Sequence, residues 1–291
     1  MQPMIIIDAV LISIALAILL IGTFTDFKTR EVPDWVNYSG IAAGLGIRLL
    51  YSASTFEWNY IIAGVLGFAV FLGIALAMFY LGQWGGGDSK MLMGLGALLG
   101  IELRPDNLLI AFFVNMLIIG ALYGIAWSIY LAAKHRKRFV PFVSRAVKGK
   151  EYKKAKKILF AAVALLLLIS VMSDFYIAAA LIAAAFALFF VFYAFVFLTA
   201  VEKISLVKLL PVERLTEGDW IVKDVVVDKK RICGPKDLGI SRHQIKKLLR
   251  LKQNGKIRKV LVKEGMPFVP SFLIAFAISL VWGNLVLLFF V

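Results

Sequence analysis

Long apolar runs, one after another, set the solvent for this chain. A helix that crosses the roughly 30 Å hydrocarbon core of a bilayer needs about 20 predominantly apolar residues. Runs of about that length occur at 5–24, 36–52, 60–82, 108–133, 175–200 and 267–291, and shorter ones at 89–103 and 158–172. Hydrophobic residues make up 61% of the 291 residues, and the mean hydropathy is +0.87. Soluble domains hold about 45–50% apolar residues, so a water-soluble core cannot absorb this excess. Backbone inside lipid must satisfy its own hydrogen bonds, which favours helices. The expected fold is an all-α polytopic membrane protein of about eight transmembrane helices, with a small α+β cytoplasmic module before the last one.

Several details qualify that expectation. The first run lacks a basic leader and a small-x-small cleavage site before Thr25, so it reads as a retained span and not as a cleaved signal. Arg48, in the second run, is expected to snorkel outward. The fourth run reaches only about 22 Å at 1.5 Å per residue. Its polar entry, with Asp88, then lies below the membrane surface, in a thinned or watered notch. Ser173-Asp174 makes a tight turn between the sixth and seventh runs; a single re-entrant segment is the other reading. Asp8 and Asp174 fall at the outer edge, where solvated or capping roles suffice.

Charge fixes the orientation. The net charge is +15, and 31 of the 33 Lys and Arg residues fall on one side if the N-terminus is outside. They lie at Lys28, Arg30, Lys90, in 134–157 and in 201–265. The positive-inside rule makes that side cytoplasmic and leaves both termini outside. Basic residues confined to loops between spans point to membrane surface and not to nucleic acid. The segment 134–157 is read as interfacial, on anionic lipid headgroups of the cytoplasmic leaflet. The lone Cys233 excludes a disulfide framework or a Cys-rich zinc site within one chain.

Three regions follow: a transmembrane catalytic part, 1–200; a cytoplasmic module, 201–265; and a last span, 266–291. In the module, Trp220–Val227 and Arg231–Cys233 read as strands around a turn at Asp228-Lys229-Lys230. Ser241 caps a helix running to about Gln253, Asn254-Gly255 stops it, and Lys256–Lys263 reads as strand. The place of the module before the last span makes gating or docking of substrate a natural role.

Ionisable groups at membrane depth are costly and therefore functional candidates. Asp26 ends the first run. Asp88 follows Gly85-Gly86-Gly87 at the start of the fourth, on the same side and at similar depth. Two carboxylates that approach closely cannot both ionise and share a proton. One then deprotonates water while the other polarises a scissile carbonyl, with no metal and no cofactor. The glycines permit unusual backbone and leave room for an extended peptide. Gly40 with Gly44, and Gly94, Gly96 and Gly100, offer small faces for helix packing. A proton- or ion-coupled transporter using the same aspartates is the rival reading, although such sites sit nearer the midplane.

The stretch Thr25-Asp26-Phe27-Lys28-Thr29-Arg30-Glu31-Val32-Pro33-Asp34 resembles the first aspartate motif of the type IV prepilin peptidases. Gly85-Gly86-Gly87-Asp88-Ser89-Lys90 is similar to their GxGD motif, and Gly265-Met266-Pro267-Phe268-Val269-Pro270 to the start of their last span. The segment from Leu210 to Ser241 resembles an archaeal branch. The resemblance implies a membrane aspartyl endopeptidase with Asp26 and Asp88 as the catalytic pair. Its substrates would be prepilin- or preflagellin-like membrane proteins, cut between a short basic leader and a hydrophobic helix. Lys90 would steady a carboxylate or anchor its helix. Glu31 and Asp34 would attract the leader. Bifunctional members carry a Cys-rich metal site linked to N-methylation; here a peptidase alone is expected.

Overall fold

The computed structural model describes residues 2–104 and 106–289. Its backbone is dominated by helices: α1 (Gln2–Thr29), α2 (Asp34–Thr55), α3 (Trp58–Tyr80), α4 (Gly86–Leu99), α5 (Leu108–Lys134), α6 (Arg136–Lys148), α7 (Lys150–Val171), α8 (Phe175–Val201), α9 (Arg242–Gln253) and α10 (Val269–Trp282). Short strands are β1 (Val207–Pro211), β2 (Trp220–Ile221), β3 (Val225–Val227), β4 (Lys230–Cys233) and β5 (Lys259–Lys263). Among the described residues, four helices are long and apolar enough to cross a membrane: Met4–Thr29, Trp58–Tyr80, Leu108–Lys134 and Phe175–Leu206. Apolar helices of this length make the chain a multi-pass membrane protein.

Two compact units emerge. The first holds the chain through Ala126, Pro211–Arg258, and the residues from Gly265. Its core is built around α4, which packs against α1, α2 and α3. Met91, Leu92, Leu95 and Leu98 of α4 are fully buried there, with Leu11 and Leu19 of α1. Phe112 of α5 meets Phe272 and Phe276 of α10 edge to face, with ring centres 6.2 and 6.1 Å apart. Lipid gives helices no hydrophobic reason to associate, so close van der Waals contact must do it. Glycine supplies that contact. A methyl group at Gly44 would stand 2.7 Å from the backbone of Ala97 and Leu98, and one at Gly96 would stand 2.5 Å from the Gly67 carbonyl oxygen.

The same unit contains the polar residues 211–258. β3 and β4 form an antiparallel hairpin with Val225 opposite Cys233 and Val227 opposite Lys230. Asp228 and Lys229 turn it with positive φ, 50° and 62°, as a tight two-residue turn requires. The expected single strand 220–227 is interrupted between Ile221 and Val225. Ser241 Oγ accepts from the Gln244 N–H and Gln244 Oε1 from the Ser241 N–H, a reciprocal cap that starts α9.

The second unit comprises Trp127–Leu210 and Lys259–Glu264. α7 and α8 pack as a pair, joined by Ser173-Asp174, and Asp174 caps α8 by accepting from Tyr176 and Ile177 N–H groups. They are two separate helices, of 22 and 27 residues. The basic segment 134–157 is helical, in α6 and the start of α7, and Phe139 of α6 sits edge to face with Phe197 of α8 at 5.4 Å. β1 lies beside β5, with Lys208 paired to Glu264 at 2.6 Å.

Two expectations are corrected. Arg48 does not snorkel outward: it is 4% exposed, and its guanidinium donates to backbone carbonyls of α4. Those carbonyls end α4, where no further turn of helix supplies donors, and the guanidinium takes that place. The last helix ends at Trp282, because Gly283 adopts φ +67° and breaks it; residues 290 and 291 of the expected span lie outside the described residues.

Candidate active site

Asp26 sits in the last turn of α1, which Arg30 closes: its N–H bonds the Asp26 carbonyl at 3.0 Å, and its own φ is 61°. Pro33 then precedes α2 with extended backbone, so the chain turns back instead of continuing the helix. The Asp26 side chain is 5% exposed, although it ends a lipid-length run. Its Oδ2 accepts the Val269 N–H at 3.0 Å. Val269 opens α10, whose first N–H groups have no partners inside the helix and carry its positive dipole end.

Asp88 is the third residue of α4. Its Oδ2 accepts the Gly85 N–H at 3.3 Å, which ties the carboxylate to the start of its own helix. Asp26 and Asp88, from different helices, lie within electrostatic range of each other. Arg30 acts on Asp26 in the same way, and the Tyr123 phenol of α5 is within range of both Asp26 and Arg30.

Gly85, Gly86 and Gly87 have no positive φ. Their value is space and not unusual backbone: a methyl at Gly87 would stand 3.3 Å from the Val32 nitrogen, and one at Gly85 would stand 3.5 Å from Asp88 Oδ2. Trp84, just before them, packs on Phe268, which precedes α10, and on Phe272 of α10, with ring centres 6.3 and 5.9 Å away. The turn leading to Asp88 and the start of α10, which bonds Asp26, are thus fastened to each other.

Lys90 and Asp34 pair with each other, and the Lys90 ammonium also lies 5.5 Å from the Tyr38 ring centre. Lys90 therefore spends its charge on Asp34, and Asp34 is already partnered. Glu31 is exposed, and its carbonyl accepts from the Thr29 hydroxyl at 3.2 Å. Among the described residues no cluster of three or more His, Cys, Asp or Glu side chains is arranged to hold a metal.

The Val269 N–H and Tyr123 carry no chemistry visible in a sequence. The Pro267 and Pro270 pair marks a helix start. Nothing local says which side chain that start will face.

The fold and site define a class: a multi-pass helical membrane protein that gathers two carboxylates from separate helices beside a helix N-terminus. Residues 13–125, which contain both aspartates, match the profile of the Type IV leader peptidase family. Over this stretch the chain is similar to the type IV leader peptidases. It is 41% identical over 81 residues to a preflagellin peptidase of Methanocaldococcus jannaschii, covering 28% of this chain and 34% of that protein. It is 37% identical over 87 residues to the preflagellin peptidase of Methanococcus voltae, covering 30% and 37%. The chain thus spans about a third of the length of the curated relatives it matches.

Proposed function

We propose that this protein is an aspartyl endopeptidase that removes the short basic leader of prepilin- or preflagellin-like precursors at the cytoplasmic face. The observation that supports this reading is that Asp26 and Asp88 lie within electrostatic range of each other, both inside the stretch similar to leader peptidases. The precursors' hydrophobic helix would lie in the bilayer and present the leader boundary at the inner leaflet. About eight crossings complete the topology if α2, α4, α7 and α10 are counted with the four long apolar helices. Both termini are then outside, and the segments rich in Lys and Arg are inside.

The chemistry needs only the two carboxylates and a water. An ionised carboxylate takes a proton from water as its oxygen attacks the scissile carbonyl carbon. The protonated partner gives its proton to the carbonyl oxygen. As the tetrahedral diol collapses, the C–N bond breaks, the first carboxyl gives its proton to the leaving amine, and the second carboxylate takes one back from a diol hydroxyl. Glu31, exposed, is the carboxylate that would meet a basic leader, since Asp34 is paired with Lys90. No methyl transfer is assigned to this site, and α6 with the start of α7 rests on anionic headgroups.

The test is cleavage of a purified precursor in liposomes. Asp26→Asn and Asp88→Asn each abolish product while melting behaviour stays that of the parent. Cleavage surviving in either variant defeats the two-aspartate reading.

A further inference from the structure

Helices α4 and α10 share an anomaly. Each has 14 residues, or about 21 Å at 1.5 Å per residue, well short of a roughly 30 Å hydrocarbon core. Their inner ends carry the site: Asp88 on α4, and on α10 the Val269 N–H that binds Asp26. Their outer ends must therefore stop inside the bundle, where the last carbonyls of a helix have no water to bond.

Each outer end is met by one buried side chain from a longer helix. At α4, Nη2 of Arg48 donates to the Leu98 and Leu99 carbonyls at 2.9 and 2.8 Å, and Nη1 donates to the Tyr60 carbonyl at 3.2 Å. The guanidinium lies 4.4 Å from the Tyr60 ring centre, and the Tyr60 hydroxyl donates to Asp8 at 2.6 Å. Gly100 ends the helix at φ +67°, and a methyl there would stand 2.9 Å from the guanidinium carbon. At α10, Asn115 of α5 is fully buried. Its Nδ2 donates to the Gly283 carbonyl at 2.7 Å and to Ser279 Oγ at 2.8 Å, and its Oδ1 accepts the Leu285 N–H at 3.0 Å. Gly283, like Gly100, has φ +67°.

We propose that Arg48 and Asn115 are positioning residues. Each pins the outer end of a half-length helix and so sets the depth of the catalytic group at its inner end. A helix is stiff along its axis, so fixing one end of a three- to four-turn rod fixes the other. Two short helices cut to length by buried clamps bring Asp88 and the Asp26 donor to a common level, which a lipid-length helix free to slide would not do. The cleavage part of the inference rests on the peptidase reading; the depth part does not.

The full chain in liposomes tests both. A nitroxide on a cysteine introduced at Gln83, ahead of α4, or at Gly265, ahead of α10, reports immersion depth. Both sites are exposed. The native Cys233 escapes labelling: it is buried, and burial with nearby Asp237 pushes its thiol up to about 11. Arg48→Met shifts the depth at Gln83 and not at Gly265; Asn115→Leu does the reverse. Both lower kcat by about 10- to 100-fold, as small misplacements do, with KM changed much less. Arg48→Lys and Asn115→Gln, which retain a donor, recover part of both and serve where the apolar variants do not fold. Unchanged depth at both labels in a folded variant overturns the proposal. So does an equal loss of depth order at both labels, which marks a general structural role. A depth shift in a protein whose parent cleaves no precursor upholds the clamps and removes the peptidase reading instead.

Discussion

Asp26 illustrates how a carboxylate is held inside a packed bundle of helices. Its carboxylate is faced by a backbone N–H at 3.0 Å, a helix N-terminus and the nearby Arg30 guanidinium. Each of these stabilises negative charge without a mobile counter-ion. Around it, glycines decide how near the helices come. Gly44→Ala forces α2 from the α4 backbone, since the added carbon would stand 2.7 Å from main-chain atoms that cannot rotate aside. Overpacking of this kind costs about 1–3 kcal/mol, so the variant melts lower. Gly46→Ala, two residues on, meets nothing within 4 Å and leaves the melting temperature unchanged or slightly raised. Equal melting of the two variants would remove Gly44 as a packing determinant.

At the level of elements, the β3–β4 hairpin is tied to the segment before α9 by charge. Arg231 donates to Asp224 at 2.7 Å and, with both terminal nitrogens, to Asp237 at 3.2 Å. Burial alone would push Asp237 up. The Arg231 fork, the Gly234 N–H at 2.8 Å and the Gln244 amide outweigh it and hold the carboxyl below its ordinary 3.8. A carboxylate whose pKa is lower when folded adds stability that is complete above its ordinary value. That stability is lost as pH falls through the lowered one. Protection factors of the β3–β4 amides, exchange rates corrected for their intrinsic pH dependence, therefore stay high at neutral pH and fall below about pH 4, near the ordinary Asp range. In Asp237→Asn the protection is lower at neutral pH and has a flatter acid dependence. An acid profile identical in both proteins would discharge Asp237 from this role.

Across the first unit, the residues between β1 and α10 reach the candidate site through Trp220. A methyl group at Gly82 would stand 3.0 Å from the Trp220 ring, and Gly82 belongs to the loop whose Trp84 rests on α10. The polar segment thus braces the turn that leads to Asp88. Trp220→Ala exposes this turn, and amide exchange at Leu81–Trp84 accelerates several-fold while exchange in the α3 interior does not. No change at Leu81–Trp84 would separate the polar segment from the site.

The amino-acid sequence by itself determined the solvent, the positions of Asp26 and Asp88, and the local stops and starts. Ser241 with Gln244, Asp174, Pro33 and Asn254-Gly255 all act within a few residues of themselves, and lipid-length apolar runs are legible wherever they occur. Only the tertiary structure decided that Arg48 turns inward, that α10 stops at Gly283, and that Lys90 answers Asp34. It alone brought Val269 to Asp26 across 243 residues of sequence. Backbone donors look identical at every residue, and a long side chain bonds whichever unsatisfied carbonyl the packed helices bring within reach. Such partners are chosen by the fold and leave no periodic or compositional trace in the chain.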